Sequence, residues 1–387
     1  MKILQITPSY KPAYIYGGPT MSVAKLCEAL VHDKDSNLEV LTTTANGKNE
    51  LDVEQNKQVN VDGVPVTYFK RITKDHTHFS PALLLALRQK IKNQNNNALV
   101  IHIHSWWNLV TIFSCWVAKL YQIPVVVSPR GMLTNYTQNN RNSFFKQILH
   151  SLIGKSLLKY AHIIASSEQE KEDVLQIIRP KSINILPNLV SLPKNLQTQN
   201  TGMNPSTFQL LFLSRIEEKK GLDILFDSLA SLTTIPWHLT IAGTGKETYL
   251  ESLKLKAKSL KIDSHINWLG QVGNSDKFKL MAKHDLLVLT SHNENFANVV
   301  IESLHVGTPV FISREVGLSS YVEANQLGFI TSVDSRQITE DLLQAYKNTA
   351  KRQSIRLEAP LFIAKDFNEE ALTQKYLTLY QQILNET

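Results

Sequence analysis

Four charged residues in the second half of the chain, two cations and two acids, have types and spacing suited to binding chemistry at strand ends. Arg215 and Lys220 follow the apolar run Leu210–Ser214, in Arg215-Ile216-Glu217-Glu218-Lys219-Lys220-Gly221, just ahead of a predicted helix. Two cations and a helix N-terminus at the carboxyl end of a strand make a place where a diphosphate could lie. Glu294 and Glu302 stand in Ser291-His292-Asn293-Glu294-Asn295-Phe296-Ala297-Asn298-Val299-Val300-Ile301-Glu302. Glu294 closes a loop, whereas Glu302 lies in an otherwise apolar helix, where a buried carboxylate is costly unless it is paired. Hydroxyls of a ligand are suitable partners, so the two acids can accept hydrogen bonds from a sugar and from a ribose. The amides of Asn295, Phe296, Ala297, Asn298 and Val299 open that helix toward phosphate.

Several glycines sit where backbone must come close to a ligand. Gly17 and Gly18 follow the first strand and precede a helix, which lets amides approach a phosphate. Ile241-Ala242-Gly243-Thr244-Gly245-Lys246-Glu247 resembles half of a P-loop, but Thr240 occupies the first glycine position and Glu247 follows the lysine. That excludes an ATPase loop and leaves a tight turn, with Gly243 beside a ligand. No G-x-G-x-x-G follows a predicted strand, so a dinucleotide fingerprint is excluded. His104 ends an apolar strand, where it could face the acceptor or the sugar or pack beside Trp106 and Trp107.

These residues need a scaffold of strands and helices in alternation. In the first half, apolar β-branched runs predict strands near Ile3–Thr7, Leu38–Thr43, Val64–Phe69, Leu99–His104, Val125–Ser128, Ile163–Ser166 and Ile183–Leu186. Helices are predicted near Thr20–Leu30, Pro81–Asn93, Val110–Leu120, Phe144–Tyr160 and Glu168–Ile178. In the second half, strands are predicted near Leu210–Ser214, Leu239–Gly243, Ile266–Leu269, Leu286–Thr290 and Pro309–Ile312, with helices near Leu222–Leu232, Glu247–Leu260, Phe278–Ala282 and Val299–Val306. Strands apolar on both faces suit parallel sheets buried between helices, so the fold class is α/β with two doubly wound domains. Pro187–Pro205 breaks the rhythm and divides residues 1–190 from 191–387, and a last helix near 369–384 could pack on the N-terminal domain.

The chain has 387 residues, 43% hydrophobic and 19% charged, which is ordinary for a globular protein and enough for two cores. Cys27 and Cys115 both lie in apolar helical contexts and are expected as buried thiols. The run after Met1 is too short for a signal core, and no stretch approaches the about 20 apolar residues that span a bilayer. The expectation is a cytoplasmic protein, soluble or peripheral at the inner face of the membrane. The net charge is +7, and the excess lies in residues 1–190, with 21 Lys and Arg against 13 Asp and Glu; the remainder has 20 against 21. No nucleic-acid-binding motif accompanies this charge, so an anionic membrane or an anionic lipid-linked acceptor fits it better.

Together the motifs resemble the retaining glycosyltransferases of the large group 1 family, also numbered family 4, whose fold is GT-B. The resemblance covers nearly the whole chain. It rests on Gly17-Gly18, Ile103-His104-Ser105-Trp106, Ser128-Pro129-Arg130-Gly131-Met132-Leu133, Arg215 with Lys220-Gly221, Glu294 with Glu302, and Gly307-Thr308-Pro309-Val310. The resemblance implies two Rossmann-like domains facing across a cleft. Arg215 and Lys220 would hold the leaving diphosphate, and Glu302 would bind the ribose. Glu294 and the amides near Phe296–Val299 would bind the donor sugar. Gly17 and Gly18 would approach the phosphates and acceptor, and Gly270-Gln271-Val272 would help form the base pocket. No metal and no organic cofactor are implied; the nucleotide-diphosphate sugar is a substrate. Retention without a clear nucleophile suggests same-face attack, with the leaving phosphate helping to take the acceptor proton.

Two positions depart from the family pattern. Arg130 stands where many relatives have a histidine facing the donor sugar, and it could contact phosphate or an anionic acceptor instead. Ala297 stands where glycine is common, which leaves less room near the sugar. The N-terminal domain should bind a glycan or lipid-linked acceptor. Its basic amphipathic stretch Arg141–Tyr160 reads as a core-facing helix with a solvated basic face, or as a membrane-surface contact. Three other functions compete: a glycoside hydrolase using Glu294 and Glu302 as a carboxylate pair, a nucleotide-sugar epimerase of the same fold, and a non-catalytic nucleotide-sugar binder. The diphosphate clamp argues against the hydrolase.

Overall fold

A computed structural model describes residues 1–386 except position 35 and the segments 74–76, 94–97, 135–152 and 194–206. The chain divides into two compact units, one of Met1–Ser191 with Glu369–Thr387 and one of Leu192–Asn368.

The first unit holds strands β1 (Lys2–Thr7), β2 (Asn37–Thr43), the short β3 (Ala45–Asn46) and β4 (Asn49–Glu50), β5 (Gln58–Val61), β6 (Val64–Phe69), β7 (Leu99–His104), β8 (Val125–Ser128), β9 (His162–Ala165) and β10 (Ser182–Ile185). Eight of them form one sheet in the order β10-β9-β8-β7-β1-β2-β6-β5, parallel except for β5 on β6. β5 was not expected from sequence. Its Gln-Val-Asn-Val alternation is polar on one face, as an edge strand requires. Helices α1 (Gly18–Val31), α2 (Pro81–Lys92), α3 (Leu109–Leu120), α4 (Lys155–Tyr160) and α5 (Glu168–Ile177) connect the strands. Most of the basic stretch expected as a helix over Phe144–Tyr160 lies outside the described residues. Cys27 and Cys115 are buried and free.

The second unit has a six-stranded parallel sheet in the order β13-β12-β11-β14-β15-β16. Its strands are β11 (Phe208–Leu213), β12 (Trp237–Ala242), β13 (Ile266–Gly270), β14 (Leu286–Leu289), β15 (Val310–Ser313) and β16 (Gly328–Thr331). Its helices are α6 (Leu222–Ser231), α7 (Glu247–Ser259), α8 (Asn274–Ala282), α9 (Asn298–His305), α10 (Ser319–Ala324), α11 (Ser335–Lys347) and α12 (Thr349–Asp366). The region from β16 to α12 was not expected in detail. In α11 the buried residues Ile338, Leu342 and Ala345 recur at helical spacing, and α12 continues through Pro360, a residue that ordinarily stops a helix.

The last helix, α13 (Glu369–Asn385), belongs to the first unit, where it packs on α1 and β7. Tyr376 and Tyr380, one turn apart, are both buried. They cover a polar strip of the sheet made by Gln5 of β1 and by His102 and His104, which share one face of β7.

Both sheets have a topological switch, a pair of neighbouring strands from which the chain departs in opposite directions, and ligands bind at the carboxyl ends there. In the second unit the pair is β11 and β14; in the first it is β1 and β7.

Candidate active site

In the second unit the sequence after β11 carries Arg215 and Lys220, and the sequence after β14 carries Glu294. Two glycines let these loops come together. Gly243 has φ +149°, and a Cβ there would lie 1.8 Å from the Ser214 carbonyl oxygen. Gly221 is left-handed at φ +68°, and a Cβ there would lie 2.1 Å from the Thr290 carbonyl oxygen. Gly243 was expected beside a ligand; its amide donates to the Gly270 carbonyl at 2.7 Å, which ties one loop to another. Thr290 donates to the Gly221 carbonyl at 3.0 Å, and the His292 amide donates to the Lys219 carbonyl at 2.9 Å.

These bonds bring Lys220, only 6% exposed, against Glu294: the ammonium donates to Oε2. Burial pushes the Glu294 carboxyl upward, but Lys220, then Lys219 and Arg215, outweigh it and hold the group below its ordinary value. Lys219 is lowered, first by burial and then by Lys220. Arg215 contributes to this field without touching Glu294; its exposed guanidinium pairs with Glu217 at 2.9 Å. The main chain of Glu294 is tied to the turn after β15, its amide donating to Glu315 and its carbonyl accepting from Gly317.

Beyond Glu294, Phe296 is core, edge-on to Phe367 at 6.2 Å, and only its backbone can serve a ligand. Ala297 holds φ +65° at the start of α9, a left-handed conformation that glycine adopts without cost. Its own side chain offers no cap. Glu302 is 8% exposed, and its partner is protein: Lys277 of α8 donates to Oε1 at 2.7 Å. Sequence reasoning missed Lys277 because it began that helix at its apolar residue Phe278, whereas α8 starts at Asn274. Gln271, exposed, follows Gly270, whose φ of +70° ends β13 in open space.

In the first unit, Gly17 (φ +65°) is the N-cap of α1 and Gly18 its first residue. The Gly17 amide donates to the Tyr14 carbonyl at 2.9 Å. His104 was expected either to face acceptor or sugar or to pack beside Trp106 and Trp107. It is fully buried, and both ring nitrogens are engaged within the unit: Nε2 with Gln5 Oε1 at 2.7 Å and Nδ1 with Arg130 Nη2 at 3.5 Å. His104 therefore serves Arg130 rather than a ligand. Arg130 also donates to Asn188, and it stands at φ +56° beside Gly131 at φ +76°.

The strip continues with consistent polarity. Gln5 Nε2 donates to Tyr380 at 3.5 Å, the Tyr380 hydroxyl donates to His102 Nδ1 at 2.7 Å, and His102 Nε2 donates to Ser128 at 2.9 Å. Each imidazole is then neutral, with its proton on Nε2. Burial and the Arg130 charge push His102 well below its ordinary value; burial, His102 and Arg130 do the same to His104.

Two family descriptions match the chain: glycosyl transferases group 1 over residues 194–361 and glycosyl transferase 4-like domain over residues 17–188. The chain is 22% identical over 338 residues to N-acetyl-alpha-D-glucosaminyl L-malate synthase of Bacillus anthracis, covering 83% of this chain and 86% of that protein. It is 28% identical over 232 residues to a Campylobacter jejuni N-acetylgalactosaminyltransferase named for a diphospho-undecaprenol substrate, covering 57% of this chain and 61% of that one. The crystal structure of Anabaena Alr3699/HepE in complex with UDP is similar with a TM-score of 0.75 at 19% identity, covering 99% of this chain and 100% of that one.

Proposed function

Because the chain belongs to the group 1 glycosyltransferases and has the GT-B fold, we propose that it moves a hexosyl group from a nucleotide-diphosphate sugar held by its second unit to a glycan or lipid-linked acceptor held by its first, with retention at the anomeric carbon. The observation that carries this reading is the Lys220–Glu294 pair at the β11/β14 switch, with Arg215 in its field.

As the sugar–phosphate bond breaks, negative charge grows on the diphosphate and positive character on the anomeric carbon. Lys220 and Arg215 neutralise the first, and positioned charges of this kind are worth about 10²–10³ in kcat each. Glu294, held ionised by its cations, accepts hydrogen bonds from sugar hydroxyls and favours the second. The acceptor oxygen forms its bond to the anomeric carbon on the face the phosphate leaves, and its proton passes to a phosphate oxygen. Lys277 holds the Glu302 carboxylate in place for the ribose hydroxyls. The positive charge comes from side chains, and no metal or organic cofactor takes part in this reading.

A carboxylate-pair hydrolase needs an acid with a raised pKa. Glu294 is shifted the other way and is no candidate for that acid, and the cations Lys220 and Arg215 form a diphosphate clamp that a hydrolase does not need. Incubation with UDP-, GDP- and ADP-sugars, with the products followed by NMR, tests the proposal. Slow release of one nucleoside diphosphate and a product of unchanged anomeric configuration are expected. An inverted product refutes retention, and isomerised donor without transfer points to an epimerase.

The work would be done in polysaccharide or glycolipid assembly, beside an anionic membrane. No helix among the described residues is long and apolar enough to cross one. Leu85 of α2 with Trp116 and Leu120 of α3 is exposed, near the basic Arg88 and Lys119, which suits peripheral contact.

A further inference from the structure

Arg130 has more donors than partners. Of the five N–H groups of a guanidinium, Nη1 uses one on Asn188 and Nη2 uses one on His104, while Nε is buried with no partner among the described residues. Neither partner carries charge: Asn188 is an amide, and His104 is held neutral. Glu170, the buried carboxylate of α5, is turned to other groups, with Oε1 accepting the Gly131 amide at 2.6 Å and Oε2 the Ser166 amide and hydroxyl at 2.7 and 2.8 Å. Among the described residues no carboxylate lies within ion-pair distance of the Arg130 guanidinium. A half-buried cation with neutral neighbours is costly, and structures ordinarily supply it with an anion.

Its position adds a second argument. Arg130 follows β8 directly, at the edge of the sheet where doubly wound domains take ligands. The neighbouring strand β7 is followed by Ser105, which also holds a positive φ (+73°), and then by Trp106, whose buried indole N–H has no partner among the described residues. Left-handed non-glycine residues cost about 1 kcal/mol or more each and persist where surrounding structure demands them. Adjacent strand ends thus carry strained backbone and orphaned donors, and those donors want an acceptor group.

We propose that Arg130 anchors an oxyanion, phosphate or carboxylate, carried by the acceptor, with His104 and Asn188 positioning its guanidinium. The inference rests on the reading that the first unit holds the acceptor. It names the class: the acceptor is an acid, and its charge is read by the Ser128-Pro129-Arg130-Gly131 turn.

The test is calorimetric titration of the full-length protein and its Arg130→Gln and Arg130→Lys variants with inorganic phosphate and, separately, L-malate. Only binding lost on substitution is attributed to Arg130, because phosphate can also occupy the Lys220 region. Wild-type protein should bind at least one of the two, more weakly at high salt, and Arg130→Gln should lose about tenfold or more, the effect of one charge-assisted bond. Loss confined to phosphate or to malate identifies which group is read. Lys keeps the charge without the fork, so partial retention by Arg130→Lys is expected, whereas a purely structural role makes both variants fail alike. Equal binding by wild type and Arg130→Gln, or no oxyanion binding by wild type, overturns the inference. Should Arg130→Gln not fold, Arg130→Lys decides: weaker binding than wild type supports the anchor, and equal binding overturns it. Wild-type donor hydrolysis, measured in parallel, keeps the two readings apart. Hydrolysis without oxyanion binding sinks only this inference, and Arg130-dependent binding without donor turnover sinks only the glycosyltransferase reading.

Discussion

At the scale of single residues, the Lys220–Glu294 pair makes rate and stability separable. Lys220→Ala should lower the rate of donor turnover by about 10²–10³, the loss seen when one positioned charge is removed, with steady-state kinetics as the check. Unchanged turnover would remove Lys220 from the chemistry. Glu294 gives a pH signature. Its folded-state pKa lies below the ordinary 4.5, so the stability it contributes is fully present above that value and is lost as pH falls through the folded pKa. The difference in urea unfolding free energy between wild type and Glu294→Gln should therefore be largest at neutral pH and shrink progressively as pH falls below the ordinary carboxylate value. A difference that stays constant from neutral to acid pH would show that the ion pair does not carry it. Glu302 and Lys277 show the limit of residue-level reading. A buried acid in an apolar helix announces that it needs a partner, but nothing local to it says that the partner is a lysine 25 positions earlier.

At the scale of elements, two devices hold the loops and the last helix. Gly243→Ala would drive a Cβ into the Ser214 carbonyl, so it should unfold or loosen the second unit well before it alters any ligand contact. Circular dichroism melting of the variant, set against wild type, measures this; an unchanged melting curve would mean that the β11 and β12 loops can separate freely. The polar strip beneath α13 makes the second prediction. Tyr380→Phe removes the hydroxyl that donates to His102 and leaves a buried ring nitrogen unpaired, which should cost about 1–3 kcal/mol in urea unfolding. His102 and His104 are both held well below the ordinary 6.5, so the unfolded chain takes up protons that the folded one refuses. Stability should be full above about pH 6.5 and decline as pH drops below it. A wild-type unfolding midpoint that did not fall between pH 7.5 and 5.5 would contradict neutral, buried imidazoles.

At the scale of the whole molecule, charge is unevenly distributed. The positive excess of residues 1–190 is partly offset within the first unit by the C-terminal segment, where Glu369, Glu370 and Glu386 stand against Lys375. Vesicles rich in anionic lipid should sediment the protein at low salt and release it at high salt, and failure to bind at low salt would remove the membrane contact. Local grammar was legible in the order of amino acids alone. Apolar β-branched runs and helical periodicity located nearly all the strands and helices up to β15, because each follows from residues within one element. The glycines marked tight turns, and the order of motifs marked the family. Tertiary structure alone decided which charges meet. Lys220 reaches Glu294 across 74 positions because β11 and β14 are neighbours in the sheet, and His102 meets Tyr380 across 278 because α13 returns to the first unit. His104 is taken up by Gln5 of the neighbouring strand and by Arg130 of the turn after β8. Pairing across such distances depends on sheet order and register, which arise from the packing of whole elements and have no signature in the spacing of neighbouring residues.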